Sequence, residues 1–154
     1  MKDPEKNIWR GRIIRYAPVF LWVGVIFFLS SDNGSMSETS RFIGPILKFL
    51  FPHAPEATIQ QVHALVRKTA HFTEYAILAF FALRALSSSS LDIFRRYRYF
   101  MPIILVAAVA ATDEINQSFE ASRTASAWDS LLDISGGAAM LLFLWILKWP
   151  RSGP

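Results

Sequence analysis

The chain has 154 residues, of which 53% are hydrophobic and 14% aromatic, a length that fits one domain and a composition too apolar for an ordinary soluble domain. Cysteine is absent, which excludes disulfides, thiolate metal sites and cysteine nucleophiles. The net charge is +4, but the Lys and Arg residues flank apolar runs instead of forming one basic face, which argues against nucleic-acid binding and favours a membrane protein.

The first long apolar run predicts a transmembrane helix over residues 13–31, about the length needed to cross the hydrocarbon core. Its interior helix breakers are Pro18 and Gly24. A cleaved signal peptide is the alternative, because a basic segment precedes the run and small residues follow it. The transmembrane interpretation is favoured, since an A-x-A-like cleavage site does not follow and the rest of the chain is also apolar.

The next two apolar segments are shorter or more polar. Residues 42–51, FIGPILKFLF, have about half the length of a span and predict a short interfacial helix. Residues 56–86 are polar in their first half and apolar in their second half. This pattern predicts a span over residues 70–87 whose helix begins above the membrane surface, and leaves open whether residues 56–86 form one helix or two.

Two further apolar runs predict spans over residues 101–118 and 130–148. Acidic residues appear where the first of these runs should leave the hydrocarbon. The second contains Gly136 and Gly137, small residues that allow another helix to approach closely. The sequence therefore predicts an all-α fold: one integral membrane domain over residues 1–154, consisting of four transmembrane helices and the short interfacial helix.

The distribution of basic residues predicts the orientation of this bundle. Of the 16 Lys and Arg residues, eleven lie in the first 15 residues, at the end of the second span and in the loop that follows it, or at the end of the chain. The other five lie on the opposite side. Because Lys and Arg accumulate on the cytoplasmic side of membrane proteins, both termini are predicted in the cytoplasm and the protein in the inner (cytoplasmic) membrane.

This orientation brings polar residues to the outward-facing end of the spans. Side chains three or four positions apart share one face of a helix, and ionisable groups at membrane depth are costly unless they face the interior, water or one another. The polar residues of each span therefore form a stripe along one face of the helix, and we expect the stripes of different spans to converge on a common site. The stripes are Arg67, His71 and Glu74 on the second span, Asp113 and Gln117 on the third, and Asp129 and Asp133 on the fourth.

The residue types suggest roles within such a site. The candidate catalytic residues are a histidine that titrates near neutral pH and carboxylates that could tune it or act as bases: His71, Glu74, Asp113 and Glu114. The candidate ligand-binding residues, whose cations suit a phosphate or carboxylate, are Arg67, Lys68, Tyr75, Gln117, Arg123 and Asp129. The alternative is a set of salt bridges that holds the bundle together at the water interface.

A divalent cation is a possible cofactor of this site. Mg²⁺ or Ca²⁺ would suit an oxygen-rich set, whereas zinc is expected to recruit more than one His. The candidate ligands are Glu74, Asp113, Asp129 and Asp133.

Two sequence blocks resemble the signature blocks of the VanZ-like membrane protein family. They are VRKTAHFTEYAIL at 66–78 and TDEINQSFEASRTASAWDSLLDISGG at 112–137, and LSSDNGS at 29–35 is similar to the end of that family's first span. The matching positions are Arg67, Lys68, His71, Glu74 and Tyr75 in the first block, and Asp113, Glu114, Gln117, Phe119, Arg123 and Asp129 in the second. The chain departs from the family pattern at Ala121 and Ser122, where Pro-Gly is usual, and at Asp133, where Asn is usual.

The resemblance implies a membrane protein linked to glycopeptide (teicoplanin) resistance, and it supplies no reaction. From the residues we expect a site that binds or processes an anionic lipid or cell-envelope intermediate, with membrane lipids or a glycopeptide-related ligand as partners. If it is an enzyme, hydrolysis or transfer at a phosphate or ester is expected. The alternatives are a non-catalytic membrane factor that acts through envelope partners and, less favoured, a transporter or channel that oligomerises through the Gly136 and Gly137 face.

Overall fold

The computed structural model describes residues 4–31, 36–118 and 126–147. These residues are helical, with turns between the helices and no strand among them. The helices are α1 (Pro4–Ser30), α2 (Met36–Leu50), α3 (Glu56–Ser87), α4 (Asp92–Arg96), α5 (Phe100–Ser118) and α6 (Ala127–Ile146). The all-α prediction is confirmed, and α4 is a short helix that the sequence interpretation did not include.

Helix α3 is the centre of the fold, because it packs against each of the other five helices. It is one continuous helix of 32 residues, which answers the question left open by its polar first half. At 1.5 Å per residue it is about 48 Å long, more than a bilayer's hydrocarbon core requires. The hydroxyls of Thr69 and Thr73 donate to backbone carbonyls four residues earlier, so these β-branched residues are accommodated within the helix.

The apolar core lies between α1, the second half of α3, α5 and α6. It is formed by residues that recur on the inward faces of these helices: Val19, Ile26, Tyr75, Leu78, Ala79, Leu83, Ala85, Val106, Val109, Ala110, Leu141 and Leu144. The outward faces are also apolar, as shown by Phe20, which is 74% exposed, and Trp128, which is 78% exposed. Large exposed apolar surfaces are unusual for a soluble monomer and are expected where lipid covers a helix.

Two helical segments are long and apolar enough to cross a membrane, Trp9–Ser30 and Ala127–Ile146. They correspond to the predicted first and fourth spans. The predicted second and third spans lie on α3 and α5, which are not among the helices that meet both conditions in the described part of the chain. The reason is that these helices carry the polar residues of the predicted site, including His71 and Glu74 on α3 and Asp113 and Gln117 on α5.

Close helix approach positions α6. A Cβ atom on Gly136 would overlap the backbone carbonyl oxygen of Phe72 on α3. A Cβ atom on Gly137 would lie 2.9 Å from a side-chain methyl of Val106 on α5. The two glycines therefore set how closely α6 lies against α3 and α5, as small residues do in helix pairs of membrane proteins.

The interfacial helix predicted over 42–51 is the second half of α2, which begins six residues earlier at Met36. It lies against α3, where Lys48 forms an ion pair with Glu56 at 3.0 Å. Leu47 is buried, whereas Phe49 and Leu50 are exposed. The helix thus has one face on the protein and another apolar face outside it.

Candidate functional site

Four helices contribute polar side chains to one end of the core. We call these residues the polar cluster: Ser30 of α1, His71, Glu74 and Tyr75 of α3, Asp113 and Gln117 of α5, and Asp133 of α6. On α3 the three residues lie at spacings of three and four, so they share the face that meets α5 and α6. The structure brings one residue from each of the three predicted stripes together, namely His71, Asp113 and Asp133.

Asp113 is the most enclosed carboxylate of the cluster, with 2% of its surface exposed. The side-chain amide of Gln117, one helical turn further along α5, donates a hydrogen bond to Oδ2 of Asp113 at 2.9 Å. The hydroxyl of Tyr75 lies 3.5 Å from the same oxygen. These two donors hold the Asp113 carboxylate in one orientation, and Tyr75 is itself fully buried.

His71 faces Asp133 across the contact between α3 and α6. Nδ1 of His71 lies 3.8 Å from Oδ1 of Asp133, a distance too long for a hydrogen bond and close enough for a charge interaction when the imidazole is protonated. Asp133 is 4% exposed. One ligand atom from each of His71, Asp113 and Asp133 lies within 4.8 Å of the other two.

Glu74 extends this group of carboxylates. Its Oε2 atom is buried and has no hydrogen-bond partner among the described residues. The carboxyl group interacts electrostatically with Asp113 and with Arg67, one negative and one positive neighbour. The backbone of Glu74 is fixed by the indole N–H of Trp22 in α1, which donates to its carbonyl oxygen at 2.8 Å.

The remaining predicted site residues surround the cluster. Lys68 forms an ion pair with Asp129 at 3.0 Å, and both side chains are about half-exposed. Asp129, expected among the metal ligands, therefore lies in a lysine pair at the rim instead of in the group with His71. Oε1 of Glu114 accepts a hydrogen bond from the backbone N–H of Ser126, next to the start of α6. Arg123 lies outside the described residues.

Two contacts at the site were not predicted from the sequence. Trp22 lies within an apolar run like the other aromatic residues of α1, and its bond to the carbonyl of Glu74 depends on how α1 crosses α3. The close approach of Gly136 to the backbone of Phe72, next to His71, is suggested only in general terms by the small residues of α6.

Comparison with known proteins identifies the family. Neither the curated proteins nor the solved structures contain a match to the chain. The model of the VanZ/LLP1 family matches residues 16–148, a region that includes all residues of the polar cluster, all of Ala127–Ile146 and most of Trp9–Ser30. Family and apolar helices together support a membrane protein. The chain belongs to the VanZ/LLP1 family.

Proposed function

We propose that this chain is one membrane domain over residues 1–154 with four transmembrane helices, formed by α1, the second half of α3, α5 and α6. Both termini lie in the cytoplasm, the protein lies in the cytoplasmic membrane, and the polar cluster faces outward. The distribution of Lys and Arg in the sequence supports this orientation.

Contacts at two levels of the bundle support the alternating direction of the helices. At one level the C-terminal ends of α1 and α5 meet, where Gln117 donates to Ser30 at 2.6 Å. At the other level the hydroxyl of Tyr16 in α1 donates to Ser89, just after the end of α3, at 3.2 Å. The two levels are about 21 Å apart along α1, because 14 residues at 1.5 Å separate Tyr16 from Ser30. This distance fits within a bilayer.

We further propose that the polar cluster binds the anionic headgroup of a lipid or cell-envelope intermediate. The observation that carries this proposal is a buried carboxylate oxygen of the cluster that has no hydrogen-bond partner among the described residues, with Arg67 and Lys68 beside it. A cluster that only stabilised the fold would be expected to pair its buried polar groups. Here Oε2 of Glu74 is buried and unpaired among the described residues, as expected of a group that interacts with a ligand.

Positive charge for an anionic group lies beside the cluster. Arg67 interacts electrostatically with Glu74, and Lys68, the next residue, is 57% exposed at the rim. Arg guanidinium and Lys ammonium groups both bind phosphate well. The family's link to glycopeptide resistance suggests an envelope intermediate as the source of that phosphate, and the glycopeptide itself as a less direct partner.

A non-catalytic membrane factor whose polar cluster is structural is the second candidate. The bonds from Gln117 to both Ser30 and Asp113 favour it, because they join α1 and α5 without any ligand. In that case loss of a cluster residue should lower stability in proportion to its effect on function, and no lipid should be retained specifically.

Native mass spectrometry of the protein in mild detergent tests the proposal. We expect wild-type protein to retain a phospholipid or polyprenyl phosphate that is lost in His71→Gln and kept in His53→Gln, which changes an exposed histidine outside the cluster. Lys68→Ala should weaken retention more than Lys48→Ala, because only Lys68 lies at the rim of the cluster. Lys48 is the matched control, since both lysines are similarly exposed and each forms an ion pair at 3.0 Å. Retention that is equal in wild type and in His71→Gln would contradict a ligand site at the cluster.

A further inference from the structure

Two carboxylates of the polar cluster are buried without a basic partner that is permanently charged. Among the described residues, the ion pairs of Lys and Arg do not involve Asp113 or Asp133. A cationic candidate within the cluster is His71, whose Nδ1 lies 3.8 Å from Oδ1 of Asp133. Burying ionised carboxylates costs several kcal/mol per ion unless a positive charge compensates them. A positive charge held within the cluster would therefore stabilise both carboxylates in their ionised form.

The same acidic surroundings would repel the anionic headgroup assigned to the site. Asp133 interacts electrostatically with Asp113, Glu74, Asp129 and Glu114, all of them carboxylates. Arg67 and Lys68 lie on one side of the cluster, on the first half of α3, and Lys68 is already paired with Asp129. A cation within the cluster would relieve both the repulsion among the carboxylates and their repulsion of a phosphate.

We propose that His71, Asp113 and Asp133 bind one first-row divalent cation, of the class of Mn²⁺ or Zn²⁺, and that this cation bridges the polar cluster to the anionic headgroup. The proposal rests on the proposed function and adds the means by which an acidic site holds an anion. The cation remains bound to three protein ligands and keeps open positions for the phosphate oxygens of the ligand.

The donor atoms determine the class of metal. Mg²⁺ and Ca²⁺ are bound through oxygen ligands, whereas an imidazole nitrogen suits first-row transition metals and zinc. Three protein ligands with an open fourth position are the pattern of zinc sites that bind a water or substrate. This donor set differs from the one expected from the sequence, because it contains His71 and excludes the lysine-paired Asp129.

The arrangement is close to what a bound ion needs. Ligand atoms around a tetrahedral zinc lie about 3.3 Å apart, given metal–ligand bonds of about 2.0 Å. In the structure the three candidate atoms lie within 4.8 Å of one another, so small side-chain rotations would bring them into range. Gln117 donates to Asp113 and fixes its carboxylate, which is the role of outer residues that orient metal ligands.

Metal binding by chelator-treated full-length protein in detergent tests the proposal. The protein is equilibrated with Zn²⁺, Mn²⁺, Mg²⁺ or Ca²⁺ singly, desalted, and analysed for metal per chain. We expect one Zn²⁺ or Mn²⁺ per chain, with affinity about 10-fold or more lower in His71→Gln and Asp133→Asn, since even outer-shell changes cost 10- to 100-fold. His53→Gln and Asp92→Asn, which alter exposed groups outside the cluster, should bind like wild type.

A spectroscopic measurement keeps the test valid if a variant fails to fold. In wild-type protein loaded with Mn²⁺, pulsed electron paramagnetic resonance should detect coupling to a ligand ¹⁴N nucleus, as expected for His71. No bound Zn²⁺ or Mn²⁺, no nitrogen coupling, or equal affinity in a folded His71→Gln variant would each overturn the proposal. Binding of Mg²⁺ or Ca²⁺ in preference to Zn²⁺ and Mn²⁺ would overturn the assigned class of metal.

The same samples separate this proposal from the one on which it rests. Native mass spectrometry with and without the metal should show a phospholipid or polyprenyl phosphate that is retained only by the metal-loaded protein. Retention without metal would overturn the bridging cation while the headgroup site stood. A bound metal with no lipid or polyprenyl phosphate in either state would overturn the proposed function together with the bridging role.

Discussion

The side-chain amide of Gln117 donates a hydrogen bond to the hydroxyl oxygen of Ser30 at 2.6 Å, across 87 positions of the chain. The same amide donates to Asp113 at 2.9 Å. Ser30 is the last residue of α1 and Gln117 lies one residue before the end of α5, so a single side chain joins two helix ends to the most enclosed carboxylate of the polar cluster.

Gln117→Ala should lower the free energy of unfolding by about 1–2 kcal/mol, because it removes two hydrogen bonds and leaves the buried Ser30 and Asp113 with fewer partners. Asn116→Ala removes an exposed amide from the neighbouring position and should change stability little. Thermal unfolding in detergent measures both variants. Adding Ser30→Ala to Gln117→Ala should cost less than the sum of the single changes. Equal stability of Gln117→Ala and wild type would show that the bonds contribute nothing.

Gly136→Ala should destabilise the protein by about 1–3 kcal/mol, the usual cost of overpacking. The added methyl would overlap the carbonyl oxygen of Phe72, a backbone atom that cannot rotate away. Gly24→Ala is the matched control, because nothing lies within 4 Å of the Cβ that it adds and alanine favours a helix. Unfolding measurements should therefore rank Gly24→Ala at or above wild type and Gly136→Ala below it.

Because Gly136 lies close to the residue that follows His71, Gly136→Ala should also separate His71 from Asp133. Metal and lipid retention should then fall even in the fraction that remains folded. A folded Gly136→Ala variant that retains both like wild type would contradict the dependence of the site on the packing of α6 against α3.

Glu74→Gln should raise the free energy of unfolding by on the order of 1 kcal/mol, since it removes one of several mutually repelling carboxylates from a buried environment. For a chain of this size that corresponds to a melting temperature about 2–4 °C higher. The control is Glu56→Gln, whose carboxylate is 61% exposed and paired with Lys48, and which should change stability by less than 1 kcal/mol.

Glu74→Gln should at the same time weaken lipid retention, because it alters the buried, unpaired carboxyl group that is proposed to interact with the ligand. Opposite effects on stability and on binding are common at residues kept for binding. Loss of both stability and retention would instead favour the structural interpretation of the polar cluster.

Single cysteines should report the orientation of the bundle, since the chain contains no cysteine. His53→Cys places a thiol in the exposed turn between α2 and α3, and Asp92→Cys places one at the exposed start of α4. A membrane-impermeant maleimide added to intact cells, or to spheroplasts if an outer membrane blocks access, should label His53→Cys alone. A permeant maleimide should label both. Labelling of Asp92→Cys alone would reverse the orientation, and labelling of both by the impermeant reagent would contradict four spans.

The sequence by itself predicted the positions of all helices except α4, and the residues available to the site. Apolar run length and polar spacings of three and four residues are local properties. They were therefore sufficient to identify α1 and α6 as candidate spans, and His71, Glu74, Asp113 and Asp133 as candidate site residues. The family blocks pointed to the same positions, and the family itself is confirmed.

Only the tertiary structure decided which of these residues meet. Asp133 faces His71, whereas Asp129, one turn earlier on α6, pairs with Lys68, and Glu114 binds the backbone at Ser126 instead of joining the cluster. These partners depend on the depth and rotation at which α6 packs against α3, which the contact of Gly136 with the backbone of Phe72 sets. Helical spacing fixes the face on which a side chain lies, but the opposing side chain is fixed by packing between helices that are distant in the chain.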